Sequence, residues 1–432
     1  MKNKNIWTGF SRKERKDKID ILKENGFLDE EYSKILQNNV TLPPEIAEQM
    51  AENTLSTFAL PFSIASNFLI DGKETAVPMV TEEPSVIAAC SYAAKLISRS
   101  GGFSTSVINR EMIGQVVFFN VADVELAIEN ITKNKEKILK IADNSHPSII
   151  NRGGGARDIR FGTFCENDAD FFVIYLIADV SEAMGANIIN NMLEGIKPFL
   201  AELTGGSPLM AILSNYATES LVTSQCEIDI KYLSNDIKEA ENIAKKIHLA
   251  SIFSKVDIYR ASTHNKGIFN GIDAIVIAVG NDWRAIEAGG HAFAARSGRY
   301  EGLTTWEFNT ETGKIRGELT LPMPIASIGG SIGLNPTVKA AFSILGHPDA
   351  RTLSTIIVSV GLAQNFAALK ALVSTGIQKG HMKLHSRSLA LLAGASHEEI
   401  DLAVEKLINS KHINLETATH ILNEIRNKNY EG

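Results

Sequence analysis

The chain has 432 residues, 44% of them hydrophobic and 22% charged, with a formal net charge of -7. That length supports two or three domains with separate cores, and the composition is that of a globular protein rather than a disordered or fibrous one. The acidic balance excludes a nucleic-acid scaffold, because lysine and arginine are dispersed apart from the mixed run Arg12-Lys13-Glu14-Arg15-Lys16.

In chain order, short polar helices are predicted over Arg12–Asn25 and Asp29–Asn38, and another starts at Pro43-Pro44. The opening residues are too polar for a signal peptide. A strand follows over Thr75–Val80. Glu82-Glu83-Pro84 then opens a helix that runs from Ser85 to Ser98, with Pro84 in its first turn, where a missing N–H costs nothing. A strand over Gln115–Ala122 leads to a Lys-rich amphipathic helix over Val124–Asn144, the glycine run Gly153-Gly154-Gly155, and a strand over Asp170–Ile177. A long helix begins near Glu182 and carries Met184-Gly185-Ala186-Asn187. This alternation predicts a compact α/β unit inserted at about residues 108–215.

A second polar helix is predicted over Asp236–Phe253. From Gly267 to Gly333 the reading is of short strands and turns, including a buried strand over Asp273–Ala278 and a hairpin over Asn309–Arg316. Thr352–Leu369 has no charged residue. Its Ser354, Ser359, Gln364 and Asn365, without an aromatic belt, make it a buried helix of a large protein rather than a membrane span. Gly376 and Gly380 mark a break before two helical patterns, Glu398–Ile408 and Leu415–Asn427, read as a small element able to swing.

The chemistry is concentrated in four polar clusters within apolar sequence: Thr81–Ser85, His264–Gly267, Gly280–Arg284 and Gly380–Met382. They supply two carboxylates, an ammonium and an imidazole, the mixture needed to stabilise an oxyanion and deliver protons. Each has a plainer reading alone, since a glutamate before proline is usually a helix start and a lone histidine is usually structural. Glu83, Lys266 and Asp282 each sit among apolar neighbours, and a Glu83–Lys266–Asp282 network would satisfy all three. The run Arg152–Asp158 can either wrap a phosphate or form a tight surface turn, and Gly329–Gly333 carries the same ambiguity. No Gly-x-Gly-x-x-Gly follows a strand, no P-loop occurs, and no His-Glu-x-x-His is present. Cys90, Cys165 and Cys226 are scattered and do not cluster with histidines, so neither a disulfide framework nor a metal site is expected, and a reducing cytosol suits the chain. Cys90, after Ala88-Ala89, reads as a small buried hydrophobe.

Several motifs in order resemble the class II, bacterial-type 3-hydroxy-3-methylglutaryl-coenzyme A (HMG-CoA) reductases. They are Glu52-Asn53, Val80–Val86, Gly153–Asp158, Asp273–Arg284, Leu321–Pro324, Gly329–Gly333, Gly361–Asn365 and Gly380-His381-Met382, and the likeness extends from about Trp7 to the C-terminus. The resemblance implies an α+β fold: a large domain built around a long buried helix, an inserted ferredoxin-like α/β dinucleotide-binding domain, and a small helical C-terminal flap. The matching boundaries are 1–107 and 216–376 for the large substrate-binding and dimerisation domain, 108–215 for the insertion and 377–432 for the flap.

The implied reaction reduces HMG-CoA to mevalonate and free CoA with two NAD(P)H, the committed step of isoprenoid biosynthesis. The implied catalytic residues are Glu83, Lys266, Asp282 and His381. Substrate contacts map onto Ser85, Asn215, Arg260 and Asn270. Cofactor contacts map onto His146, Arg152, Gly154, Gly155, Arg157, Asp158, Met184, Gly185, Ala186, Asn187 and Gln364. The resemblance further implies a homodimer or an assembly of dimers in the cytoplasm, with no metal, membrane or nucleic acid. Two positions depart from the family pattern. Ser56 replaces the glycine of Glu-Asn-x-x-Gly, and His146 stands before Pro147 where NADH-preferring relatives carry an acid, which favours NADPH while leaving NADH possible. The same fold can run oxidatively, from mevalonate and CoA to the thioester. A non-catalytic acyl-CoA-binding protein would have lost one of the four chemical residues, and all are present.

Overall fold

The computed structural model describes the backbone of residues 6–330, 332–374, 377–396 and 398–430, and the side chains of all of these but 377–384 and 428–430. Three short helices come first, α1 (Arg15–Glu24), α2 (Glu30–Gln37) and α3 (Pro44–Met50), close to the predicted spans. An unpredicted strand, β1 (Phe62–Ile70), then pairs antiparallel with β2 (Lys73–Val80). Asp71 and Gly72 turn the chain between them at φ 48° and 78°, a left-handed geometry that glycine and short polar side chains tolerate. Helix α4 (Val86–Ser98) starts later than expected: Ser85 is its N-cap at φ 72°, and Pro84 lies outside it. Strand β3 (Phe103–Val107) follows.

The inserted unit runs β4 (Glu111–Phe119), α5 (Val124–Lys133), α6 (Lys135–Ser145), α7 (Pro147–Ile150), β5 (Gly155–Glu166), β6 (Ala169–Asp179), α8 (Ala186–Thr204) and β7 (Ser207–Ser214). Its four strands form an antiparallel sheet of order β5-β6-β4-β7, the ferredoxin-like arrangement. Met112, Val116 and Phe118 of β4 pack on Ile189, Met192 and Leu193 of α8 in a core separate from that of the large sheet. The expected Lys-rich helix is two helices, broken at Asn134, and β5 and β7 escaped the sequence reading.

The chain then returns through β8 (Leu221–Asp229), α9 (Ile237–Val256), α10 (Ile258–Ala278), α11 (Trp283–Ala294), β9 (Thr304–Asn309), β10 (Lys314–Pro322), α12 (Pro336–Ile344) and α13 (Ala350–Val373). The large sheet has six strands in the order β2-β1-β3-β8-β10-β9, with β1 and β3 as its parallel pair. The largest correction falls here. Gly267–Ala278, read as strands and turns, is the second half of α10, which starts where the Asp257 carboxylate accepts the Arg260 amide at 2.7 Å. A short apolar run such as Asp273–Ala278 has no periodicity that separates strand from buried helix. The β9–β10 hairpin turns within the predicted span.

Helix α13 lies in the core against α4, α10 and the large sheet, with Leu353, Ile357, Val360, Leu362 and Phe366 fully enclosed. Each such side chain stabilises the fold by about 1.5–3 kcal/mol. Its hydroxyls are satisfied internally, Ser359 meeting Ser224 of β8 at 2.9 Å. Among the described residues, α13 is the one helix long and apolar enough to cross a membrane by length and composition, and 72% of its most apolar window is buried within the protein. Three helices close the chain, α14 (Ile377–Leu392), α15 (Ile400–Ile408) and α16 (Leu415–Tyr430), packed around Leu389, Val404, Leu407 and Ile421. Gly380 sits inside α14 rather than at a break, and Gly376 lies outside the described residues.

Candidate active site

Helical phase decides what α10 presents. Tyr259, Thr263, Lys266, Asn270, Asp273 and Ile277 recur at the spacing of one helix face, while Ala261, His264, Asn265, Ile268 and Phe269 are buried. Lys266 Nζ donates to Glu83 Oε2 at 2.7 Å, and Asn270 Nδ2 donates to Glu83 Oε1 at 3.4 Å. Both oxygens of Glu83 therefore face α10. Glu83 reaches it from the turn between β2 and α4, where its amide donates to Thr81 Oγ1 at 3.2 Å and Ser85 takes its left-handed conformation.

The expected burial is absent in the single chain, where the Lys266 and Glu83 side chains are 61% and 43% exposed. A helix turns Lys266 away from the Ile268 and Phe269 that would have enclosed it in an irregular segment. Asp282 is the N-cap of α11. Its Oδ1 accepts the amides of Arg284 at 3.1 Å and Ala285 at 3.2 Å, and the Arg284 Nε at 3.4 Å. Its hydrogen bonds run to its own helix, so the expected Glu83–Lys266–Asp282 network is not formed in this chain; Glu83 and Lys266 meet, and the third member is Asn270. His381 belongs to α14, and its side chain lies outside the described residues.

Arg260 lies in the first turn of α10. Its Nε is buried without a hydrogen-bond partner among the described residues, and burial holds its pKa below the usual guanidinium range. Asn215 follows β7 and is exposed, with its carbonyl against α11. A Cβ at Gly289 would stand 2.5 Å from that oxygen, so glycine permits the approach.

On the insertion, His146 joins α6 to α7 and its Nδ1 meets Asn191 Nδ2 of α8 at 3.2 Å. Arg152 is exposed. Gly154 and Gly155 are required by packing: a Cβ would stand 2.5 Å from Asp179 O at the first and 2.6 Å from Ile150 at the second. Arg157 donates to Gly153 O at 3.0 Å and pairs with Asp179 at 3.2 Å. Asp158 accepts from Lys135, a contact that holds its carboxyl below the ordinary range. The run is thus a turn leading into β5, whose Arg157 and Asp158 pair with Asp179 of β6 and Lys135 of α6, and Arg152 is exposed. Gly185, at φ 99°, starts α8 against Val180, and no side chain caps that helix. The amides of its first turn, over Ala186 and Asn187, suit an anion. Met184 immediately precedes them. Gln364 stands apart, buried in α13 against Gly271 of α10.

Two features went unread in the sequence. Asp273, on the Lys266 face of α10, faces Glu287 of α11; burial first, and then repulsion from Glu287, raise its carboxyl well above the ordinary range. The spacing Lys266, Asn270, Asp273 would have revealed it had the segment been read as a helix. His264, next to Lys266 in the polar cluster, points into the core and is held neutral, its pKa lowered to about 3 by burial. Among the described residues, no group of three or more His, Cys, Asp or Glu is arranged to hold a metal ion.

The hydroxymethylglutaryl-coenzyme A reductase family model matches residues 13–386 of this chain. The chain belongs to that family. The 3-hydroxy-3-methylglutaryl-coenzyme A reductase of Archaeoglobus fulgidus is 41% identical over 401 residues, covering 93% of this chain and 90% of its own length. A probable reductase of Borreliella burgdorferi is 32% identical over 417 residues, 93% of this chain and 92% of its own. Among solved structures, a Streptococcus pneumoniae HMG-CoA reductase is 54% identical with a TM-score of 0.85, covering 97% of this chain and 99% of its own. The class II reductase from Streptococcus pneumoniae bound to NADPH in open conformations matches at 54% identity and a TM-score of 0.83, over 96% of this chain and 100% of its own. The chain is therefore a class II HMG-CoA reductase in fold and in reaction, converting HMG-CoA to mevalonate with NAD(P)H.

Proposed function

We propose that reduction is carried by Glu83, Lys266, Asp282 and His381. The observation that carries this reading is the 2.7 Å pair of Lys266 and Glu83, with Asn270 on the other carboxylate oxygen. Lys266 stabilises the substrate oxygen as negative charge grows on it, an interaction stronger in the transition state than in the ground state. Glu83 delivers the proton in carbonyl reduction, and Asp282 acts with them from the N-terminus of α11. His381, on the 377–432 flap, protonates the departing thiolate. Arg260 pairs with the free carboxylate of the substrate, supported by its unpartnered Nε. Ser85, Asn215 and Asn270 bind the remaining polar groups.

The 108–215 unit holds the dinucleotide, which when bound supplies the two hydrides. The uncapped α8 N-terminus at Gly185 supports a phosphate there, and the exposed Arg152 adds charge beside it. Gly154, Gly155, Arg157 and Asp158 shape that loop. His146 and Arg152, where a carboxylate would repel a 2′-phosphate, favour NADPH over NADH, and a solved relative is described as bound to NADPH.

The remainder, 1–107 and 216–376, binds the thioester and dimerises. Exposed Leu249, Ile252, Phe253 and Val256 recur at helical spacing on α9 and continue into Ile258 and Tyr259 beside the Lys266 face, while Leu55 and Phe58 are 100% and 90% exposed. A second copy of the chain covers this surface and encloses the Lys266–Glu83 pair. The enzyme works in the cytoplasm in the reductive direction. The test is initial rates with NADPH and NADH in both directions, for wild type and His146→Asp. The mutation is expected to lower the NADPH preference about tenfold, equivalent to about 1.4 kcal/mol. A wild type that prefers NADH, or a ratio unmoved by the mutation, defeats the assignment of cofactor preference.

A further inference from the structure

Between the insertion and α11 runs the segment Ile325-Ala326-Ser327, which follows β10, and it is hydrogen-bonded on both sides. On one side Ala326 exchanges two bonds with the Asn281 side chain, its amide donating to Oδ1 at 2.7 Å and its carbonyl accepting from Nδ2 at 3.0 Å. Asn281 is the residue before Asp282. On the other side the Ser327 amide donates to the Glu182 carbonyl at 3.0 Å, and the Ser327 hydroxyl donates to the Glu182 carboxylate. The same carboxylate oxygen accepts the Ala350 amide at the start of α13, at 2.7 Å, where the helix dipole favours negative charge. Arg110 closes the frame by donating to Ser181 O and Ile325 O, each at 3.0 Å.

Glu182 lies in the loop between β6 and α8, beside Met184 and Gly185. An unbroken path of hydrogen bonds therefore joins that loop to the residue preceding Asp282. Ile325 is fully enclosed and Ala326 nearly so, so the segment cannot be displaced without opening the core.

We infer that Glu182 and Asn281 are positioning residues that hold the dinucleotide loop and the α11 N-terminus at a fixed separation. Their side chains bond to the Ala326-Ser327 segment and, from Glu182, to the α13 N-terminus. They set the distance across which hydride donor and acceptor meet, and this assignment rests on the functional reading above. Misplacement of reacting groups by about an ångström costs up to about a hundredfold in rate.

The test is a double-mutant cycle of Glu182→Ala and Asn281→Ala, read as kcat and as NADPH Kd. Each single variant is expected to lower kcat about tenfold or more while NADPH Kd stays within about threefold, because position and not binding is lost. The double variant should be no slower than the slower single one. Glu182→Gln, which keeps an acceptor oxygen, should recover most of the rate. Multiplicative losses in the double variant overturn the inference, as does a Glu182→Ala protein whose Kd rises while kcat holds. If Glu182→Ala does not fold, Ser327→Ala takes its place in the cycle. Amide hydrogen exchange over residues 281–285 gives a readout independent of turnover: Glu182→Ala should speed it, and unchanged exchange overturns the strut even in an active enzyme. A wild type inert toward the thioester would count against the functional reading alone, leaving the exchange result to decide the strut.

Discussion

The two faces of α10 carry adjacent residues with opposite fates. Inward, His264 Nε2 lies 2.6 Å from Thr304 Oγ1, and Asn365 Oδ1 accepts from both Thr304 Oγ1 and Trp306 Nε1 at 2.8 Å. Asn365 Nδ2 also lies 3.2 Å from His264 Nε2, burial keeps the imidazole neutral, and His264 Nδ1 is enclosed without a hydrogen-bond partner among the described residues. Outward, Lys266, Asn270 and Asp273 form a polar row that is half open to solvent. One face is enclosed by the fold itself. The other is left for something that is not part of this chain. Sequence adjacency is therefore a poor guide to shared function in a helix, where neighbouring residues point about 100° apart.

Exchanging the two behaviours would break this comparison. Lys266→Ala should lower kcat for both HMG-CoA and mevaldehyde reduction by about 100- to 1,000-fold. It should leave the melting temperature nearly unmoved, because an exposed ion pair contributes at most about 1 kcal/mol. Retention of more than about a tenth of wild-type kcat would place the oxyanion group elsewhere. Asn365→Ala should do the reverse. It strips the acceptor from the Thr304 hydroxyl and the Trp306 indole, costing about 2–3 kcal/mol in urea unfolding, with kcat per folded molecule little changed.

Asp273→Asn sharpens the outward side with a smaller effect. In the unfolded chain this carboxyl ionises near pH 4 (an approximate reference value), whereas in the fold burial and Glu287 hold its proton to higher pH. Across that window the unfolded state has released a proton that the folded state keeps, so stability falls as pH rises. Asp273→Asn removes that slope, and its melting temperature should drop less than that of wild type between pH 5 and pH 8, by about 2–4 °C. Parallel curves would mean that Asp273 titrates normally.

What was legible in the sequence follows the same division. Glu83, Lys266 and Asn270 were found through their motifs, and they meet. The insertion was found through alternation, and α13 through its lack of charge. What escaped was phase and partner. The run Asp273–Ala278 is as apolar as a buried strand, so the Asp273–Glu287 approach could not be seen before α10 was known to be a helix. Asp282 was expected beside Lys266 but spends its oxygen on the amides of α11, an N-cap role that any aspartate before a helix can take. Strands β5 and β7 have charged or exposed edges that blur their alternation. The strut through Glu182 joins residues distant in sequence, which a linear reading has no means to connect.

Helix α13 has a consequence for synthesis. The elements it packs against, α4, α10 and the strands of the large sheet, all precede it in the chain. On the ribosome they emerge with their shared apolar face uncovered, and the face stays uncovered until Val373 has been made. The last core element to appear is thus the one that seals it, and partly made chains carry the exposed apolar surface that drives aggregation. Nascent chains stopped before Ala350 should bind chaperones and pellet, whereas chains stopped just after Ser374 should remain in solution.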